Sequence, residues 1–181
     1  MRKALVAVSI LIAIALLAIF TLPRVKEIAL DKAAVAVYFS AHGGCTEAII
    51  KEIEKAQSEI LVQAYTFTSA PIAKALLQAH KRGVKEEVIL DQSQRTQKYS
   101  SATFLANQKI PIYIDDQHAI AHNKVMIIDR KIVITGSFNF TRAAEEKNAE
   151  NLLVIQSSEL AKVYLDNWHQ HKEHSNEYKR G

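Results

Sequence analysis

The chain of 181 residues contains a single cysteine, Cys45. An internal disulfide is therefore excluded, and so is a zinc site built on paired cysteines. Internal repeats and low-complexity stretches are lacking too, so one domain is the default at this length. Charge of one sign is scarce where it would matter most. The formal net charge is +4, but residues 1–33 hold Arg2, Lys3, Arg24, Lys26 and Lys32 against Glu27 and Asp31. Five basic and two acidic groups account for +3, which leaves the rest of the chain near +1. A broad basic field of the kind that draws nucleic acid is absent there, and any attraction for phosphate has to be local.

Charge is missing altogether from residues 4–22, a run of 19 apolar or neutral residues preceded by Arg2 and Lys3. As a helix it would span about 28 Å, close to the hydrocarbon thickness of a bilayer. Basic residues before it and a longer segment after it predict the start inside and the rest outside the cytoplasm. The run exceeds the usual apolar core of a signal peptide, about 7–15 residues. A retained signal anchor is the preferred reading, and a cleaved signal peptide, cut near residues 33–36, is the alternative. The expected organisation is a basic start (1–3), a transmembrane segment (4–22), a linker (23–33), one folded domain (34–175) and a tail (176–181).

Strand and helix patterns alternate along that domain. Residues 35–39 read as a strand. Thr46 reads as the N-cap of a helix with apolar positions 48, 49, 50, 53 and 56. A strand at 59–65 leads to a helix from Ser69 to Arg82, with Pro71 in its first turn and Gly83 as its stop. Residues 84–91 form the next strand. Glu86 stands there where the alternation to Val88 and Leu90 wants an apolar residue. It either lies at a solvated strand start or weakens the fold. Residues 92–98 read as a polar loop, 100–108 as a short helix, and 110–114 as a strand whose Pro111 suggests an edge or a strand start. A hairpin around 122–136, a helix near 143–147, a strand at 151–155 and a helix at 158–172 complete the domain, with a charged tail from Glu173 expected to fray. The expected class is α/β, a mixed sheet sandwiched by helices.

The informative stretch is the hairpin. His122 and Lys124 share a face of an extended strand, and Val125 and Ile127 face the other way. Met126 and Ile128 are apolar as well, so the strand is expected to be buried on both faces beyond Lys124. An imidazole and an ammonium at the mouth of a buried strand are costly unless an anion meets them. Ser137 and Asn139 also share parity, and Gly136 before them permits a tight turn or a close approach. Imidazole, ammonium, hydroxyl and amide converging on one point would suit a phosphate.

These residues carry a resemblance. His122-x-Lys124, then Asp129, then Gly136-Ser137-x-Asn139 at this spacing resembles the signature of the phospholipase D superfamily, with all six positions present. Gln63-Ala-Tyr-Thr-Phe-Thr68, Ser137-Phe-Asn-Phe-Thr141 and Asn148-Ala-Glu-Asn151 further resemble the small bacterial endonucleases of that superfamily, over roughly residues 35–168. The resembling nucleases usually have an aliphatic residue where Glu86 stands.

Phosphodiester hydrolysis without a metal needs a nucleophile, an acid for the leaving oxygen and fixed positive groups. One imidazole cannot be neutral nucleophile and protonated acid at once, so two histidines are required. The signature occurs once here, and a homodimer supplies the second copy most economically. The resemblance implies the same arrangement, with one His122 forming a phosphohistidine and the other serving as acid and then base. It assigns Lys124 and Asn139 to the phosphate oxygens, Ser137 to a nearby hydrogen bond, Glu150 to orienting a histidine within or across subunits, and Asp129 with Gly136 to structure. Odd separation from Lys124 also puts Asp129 off the catalytic face. Arg95, Lys98 and Arg142 are candidate DNA-backbone contacts.

No cofactor and no metal are expected. His169, His171 and His174 read as a solvated helix end, because His169 and His171 do not share a helix face and no acidic or thiol ligand is placed with them. The expected partners are DNA, with single strands and RNA as further substrates, a second copy of the chain, and a membrane through residues 4–22. The expectation is a membrane-anchored, extracytoplasmic endonuclease. A phospholipid hydrolase of the cardiolipin or phosphatidyl type and a non-catalytic DNA-binding module are the alternatives.

Overall fold

The computed structural model describes residues 26–31 and 33–178. The apolar run at 4–22 lies outside the described residues. Among those described, no helix is long and apolar enough to cross a membrane.

The elements in chain order are β1 (Ala34–Phe39), α1 (Cys45–Lys55), β2 (Glu59–Ala64), α2 (Ala70–Lys81), β3 (Lys85–Asp91), a 3-10 turn (Gln92–Arg95), α3 (Ala102–Asn107), β4 (Ile112–Asp115), β5 (Lys124–Ile128), β6 (Ile132–Gly136), α4 (Arg142–Glu146), β7 (Asn151–Gln156), α5 (Ser158–His174) and β8 (Asn176–Glu177). Eight strands make one mixed sheet in the order β1-β7-β6-β5-β2-β3-β4-β8. β2, β3 and β4 run parallel, each reached through a helical crossover, and the remaining pairs are antiparallel.

Strand alternation divides the core in two. Ile60, Val62, Val88, Leu90, Met126 and Ile128 join Ile49 and Ile53 of α1 and Ile72 and Leu76 of α2 in the larger cluster. Leu61, Ile89, Val125, Ile127 and Val133 meet Ala161 and Trp168 of α5 in the smaller one. Trp168 is buried to 1% exposure, and its indole N–H donates to the Val62 carbonyl at 3.0 Å, so the largest side chain leaves no orphan donor.

The topology places chemistry at one end of the sheet. Parallel β2, β3 and β4 finish at Ala64, Asp91 and Asp115. Antiparallel β5 begins at that same end, with Lys124 opposite Ala64. β6 finishes there at Gly136, opposite Leu152 of β7, and β1 finishes there at Phe39, opposite Asn151. Ligands of open α/β sheets gather at the carboxyl ends of parallel strands.

Three local expectations change. Thr46 does not cap α1. Gly44 holds the cap position in a left-handed conformation, and the Glu145 carboxylate accepts from the N–H groups of Gly44 (3.1 Å) and Thr46 (2.7 Å). The cap comes from α4, about a hundred residues away, and no local pattern announces it. Part of the expected polar loop coils into the 3-10 turn, started by Asp91, whose carboxylate accepts from Ser93 N–H. The tail is not frayed at Glu173. Helix α5 continues to His174, and Asn176 and Glu177 pair with Ile114 and Tyr113 of β4. β8 thereby covers what would have been an open sheet edge.

Glu86 is not at a solvated strand start. It is 3% exposed, and neither carboxylate oxygen has a hydrogen-bond partner. Burial pushes its pKa up to about 8, only partly opposed by Arg82. Arg82 donates instead to the carbonyls of Ile53 and Glu54 at the end of α1. The folded chain holds this proton up to about pH 8, whereas the unfolded chain releases it near 4.5. The fold therefore binds more protons across that window, and stability falls as pH rises through it. Replacing Glu86→Leu should stabilise the fold and raise its thermal midpoint, with a gain in unfolding free energy that widens from pH 5 to pH 8 towards about 2–4 kcal/mol. Thermal unfolding at both pH values checks this, and a margin that stays constant or is negative contradicts it.

Candidate active site

Lys124 is the buried member of the site, at 6% exposure, in the first position of β5. Its ammonium donates to the His122 carbonyl at 3.0 Å and sits 5.1 Å from the centre of the Tyr65 ring. Burial pushes the Lys124 pKa down, and the Glu150 charge opposes that shift. His122 itself is exposed, and its ring packs on Tyr65 at 4.6 Å between centroids. Tyr65 directly follows β2 and makes both contacts. Sequence reasoning assigned it no role, although the stretch 63–68 that carries the resemblance contains it.

The Gly136–Asn139 turn builds the opposite wall. A Cβ on Gly136 would lie 2.3 Å from the Asn151 carbonyl, and its φ of +149° falls where side chains are disfavoured. Only glycine lets β6 turn this close to β7. Ser137 then accepts from the backbone N–H of Asn151 at 3.0 Å and from its side-chain amide at 3.3 Å. The hydroxyl locks the turn onto the start of β7, next to Glu150. Phe138 and Phe140 are fully buried on either side of Asn139 and pin it in place. The Asn139 side-chain oxygen is buried and has no hydrogen-bond partner.

Glu150 is held by a closed set of bonds. Its carboxylate accepts from Asn148 at 3.0 Å, its N–H donates to Ser40 Oγ at 3.1 Å, and its carbonyl accepts from Ser40 N–H at 3.1 Å. Within one chain its charge acts on Lys124. The His122 ring forms no hydrogen bond among the described residues, to Glu150 or to any other group. Thus His122, Lys124, Ser137, Asn139 and Glu150 are gathered at one end of the sheet, but the histidine is left without an orienting acceptor.

Asp129 stands at the other end of β5, about 17 Å from Lys124 at the rise of a strand. It occupies a left-handed turn position with Arg130 (φ 52° and 54°). Its carboxylate accepts from the N–H groups of Gln57, Ser58 and Glu59 and from Ser58 Oγ, at 2.7–3.0 Å. Burial raises its pKa, but these donors outweigh burial, and the net shift is downward. Asp129 ties the β5–β6 turn to the entrance of β2.

The candidate DNA contacts are occupied locally. Arg95 faces Asp116 at 3.8 Å, Arg142 donates to Glu146 at 2.7 Å, and Lys98 lies 5.5 Å from the centre of the Tyr99 ring. Cys45 is buried and carries no reactive thiolate, because burial and Glu145 push its pKa to about 11.

The fold and the comparisons together define a phosphodiesterase class. The family described as cardiolipin synthase, PLD-like domain, matches residues 49–172. The chain belongs to the phospholipase D superfamily. It is 48% identical over 139 residues to a phospholipase D of Rickettsia conorii, covering 77% of this chain and 70% of that one. It superposes on Nuc from Salmonella typhimurium, a phospholipase D family member, with a TM-score of 0.78 and 38% identity, over 82% of this chain and all of that one. It is also 29% identical over 118 residues to the mitochondrial cardiolipin hydrolase of Mus musculus, covering 65% of this chain and 53% of that one.

Asp129→Ala should lower stability by about 2–4 kcal/mol, since four donors lose their acceptor and a left-handed position loses the short polar side chain that tolerates it. Turnover per folded molecule should hold within a few-fold. Thermal unfolding and active-fraction kinetics check the two halves. Loss of turnover without loss of stability would place Asp129 in the chemistry.

Proposed function

We propose that this phosphodiesterase is an endonuclease that hydrolyses DNA through a phosphohistidine, with no metal at the reacting centre and with one active site shared by two chains. The observation that carries the proposal is an exposed His122 without an acceptor beside a buried, cationic Lys124. A bound phosphate would repair the cost of that buried ammonium, and an ammonium at the centre of the site disfavours a cation there. Exposed apolar groups flank the same end of the sheet. Phe39 at the end of β1 is 67% exposed, and Ile120, two residues before His122, is 58% exposed. A second copy of the chain would cover both and present its own His122 and Glu150.

In the proposed reaction a ring nitrogen of one His122 bonds to phosphorus while the bond from phosphorus to the departing alcohol oxygen breaks. The partner's His122, protonated, delivers its proton to that oxygen. Now neutral, the same imidazole takes a proton from water. The water oxygen then displaces the first histidine and frees the phosphate end. Lys124 and Asn139 of both chains hold the non-bridging oxygens, and a Glu150 carboxylate reached across the interface orients the histidine.

DNA as substrate rests on the resemblance of residues 63–68, 137–141 and 148–151 to the small bacterial endonucleases. The second reading is a phospholipid hydrolase, favoured by the names of the Rickettsia and mouse relatives. In either case residues 4–22 would hold the domain at a membrane, outside the cytoplasm. Turnover of plasmid DNA, RNA and cardiolipin vesicles by the same preparation, in EDTA and at low temperature, discriminates the readings. DNA cleavage that persists in EDTA and falls by at least about 10⁴-fold in His122→Ala is expected. Lipid turnover without DNA cleavage would replace the substrate, and DNA cleavage retained by His122→Ala would overturn the nucleophile.

A further inference from the structure

A second cluster of chemistry-bearing side chains lies at the end of β4. Asp115 is fully buried there, with its carboxylate facing three imidazoles. His118 Nδ1 is 3.1 Å from both carboxylate oxygens, His171 Nδ1 is 2.7 Å from Oδ2, and His174 Nε2 is 3.3 Å from Oδ2. The three rings are 4.9–5.3 Å apart between centroids. Reading His169 with His171 was the wrong pairing. His169 packs edge-on against Trp168, while His171 and His174, three apart on α5, share a face. The acid missing from the sequence pattern arrives from β4.

We propose that Asp115, His118, His171 and His174 form a structural site for a divalent transition metal, zinc above all. Three imidazole nitrogens and one carboxylate oxygen are a four-ligand set of the type that zinc takes. Tetrahedral zinc with bonds of 2.0–2.1 Å separates its ligand atoms by about 3.3 Å. The three distances from Asp115 to the imidazoles already lie at or below about that value. All four ligand atoms lie within 4.8 Å of one another, so only the separations between imidazoles must shrink. His118 sits in an exposed loop and His174 in the last turn of α5, where small shifts are available.

Two further observations point to a ligand rather than to a closed hydrogen-bond network. His174 Nε2 is buried and turned towards Asp115, yet makes no hydrogen bond of acceptable geometry. Asp115 is also asked to serve three imidazoles with two oxygens, which a cation shared by all four would relieve.

The placement gives such a metal a purpose. His118 begins the loop that delivers His122 four residues later. That loop is otherwise tied by Asp91, which accepts from Ala121 N–H at 2.8 Å, and by Gln92, which reaches the His118 and Ala119 carbonyls at 3.4 Å. The metal would clamp the end of α5 and the end of β4 to the approach of His122, without touching the reacting atoms.

The test uses the untagged full-length chain in detergent, stripped with EDTA, dialysed, and titrated with zinc and separately with cobalt. Expected are one zinc per chain by elemental analysis and a rise of about 5 °C or more in the thermal midpoint. Cobalt should give the intense visible absorption of a four-coordinate ion. His171→Gln with His174→Gln should remove all three signals, His169→Gln should keep them, and His122→Ala should bind zinc as wild type does, which separates this site from the proposed reaction. If the double variant fails to fold, His118→Gln on the exposed loop should weaken zinc by at least the roughly 10–100-fold that loss of an outer partner costs. Absence of stoichiometric zinc, or zinc binding indifferent to His118, His171 and His174, would overturn the proposal.

Discussion

Lys124 is an ammonium carried into the sheet at 6% exposure, and the rest of the site is arranged around that cost. Taking a charge out of water is unfavourable by several kcal/mol unless partners replace the lost hydration. One chain offers the His122 carbonyl, the face of Tyr65 and the field of Glu150. These hold the lysine in place, yet burial still depresses its pKa. An anion delivered between Lys124 and His122 would complete the set. The two core clusters serve this arrangement by fixing β5 on both faces, so the lysine cannot swing out to solvent without unpacking Met126 and Val125.

The same end of the sheet collects everything else because β5 runs antiparallel to β2. Had the hairpin paired in the other sense, Lys124 and Asp129 would have exchanged ends. Asp129 instead ties the far turn to residues 57–59, and Gly136 lets β6 approach Asn151 closely enough for Ser137 to bond it. Three carboxylates have different fates. Glu150 accepts from Asn148 and Asp115 faces three histidines, both at this end of the sheet, whereas Glu86, at the start of β3 and so at the other end, is buried with no partner.

Much of this was legible in the residues. The apolar pattern of 125–128 predicted a strand buried on both faces, and β5 is that strand. Local patterns carry such information because side-chain direction in a strand is set by the backbone alone. But β5 begins at Lys124, so exposed His122 lies in the loop before it, and Ser137 and Asn139 lie in the turn after β6, where strand parity does not apply. What local patterns could not carry came from distant segments. Glu145 caps α1 across a hundred residues, β8 turns an expected frayed tail into an edge strand, and Asp115 meets His171 across fifty-six. Glu86 was legible as an anomaly, but whether water reached it depended on α1 and α2 packing over that strand.

The central claim is that one chain holds half of an active site, since the His122 signature occurs once and the His122 ring has no acceptor among the described residues. Co-expression of wild-type and His122→Ala chains, with random pairing, tests this most directly. If both histidines are needed, only pairs of two wild-type chains work, and an equal mixture should retain about one quarter of the activity of the same amount of wild-type protein. Retention of one half, strictly proportional to the wild-type fraction, would mean that each chain acts alone and would contradict the account.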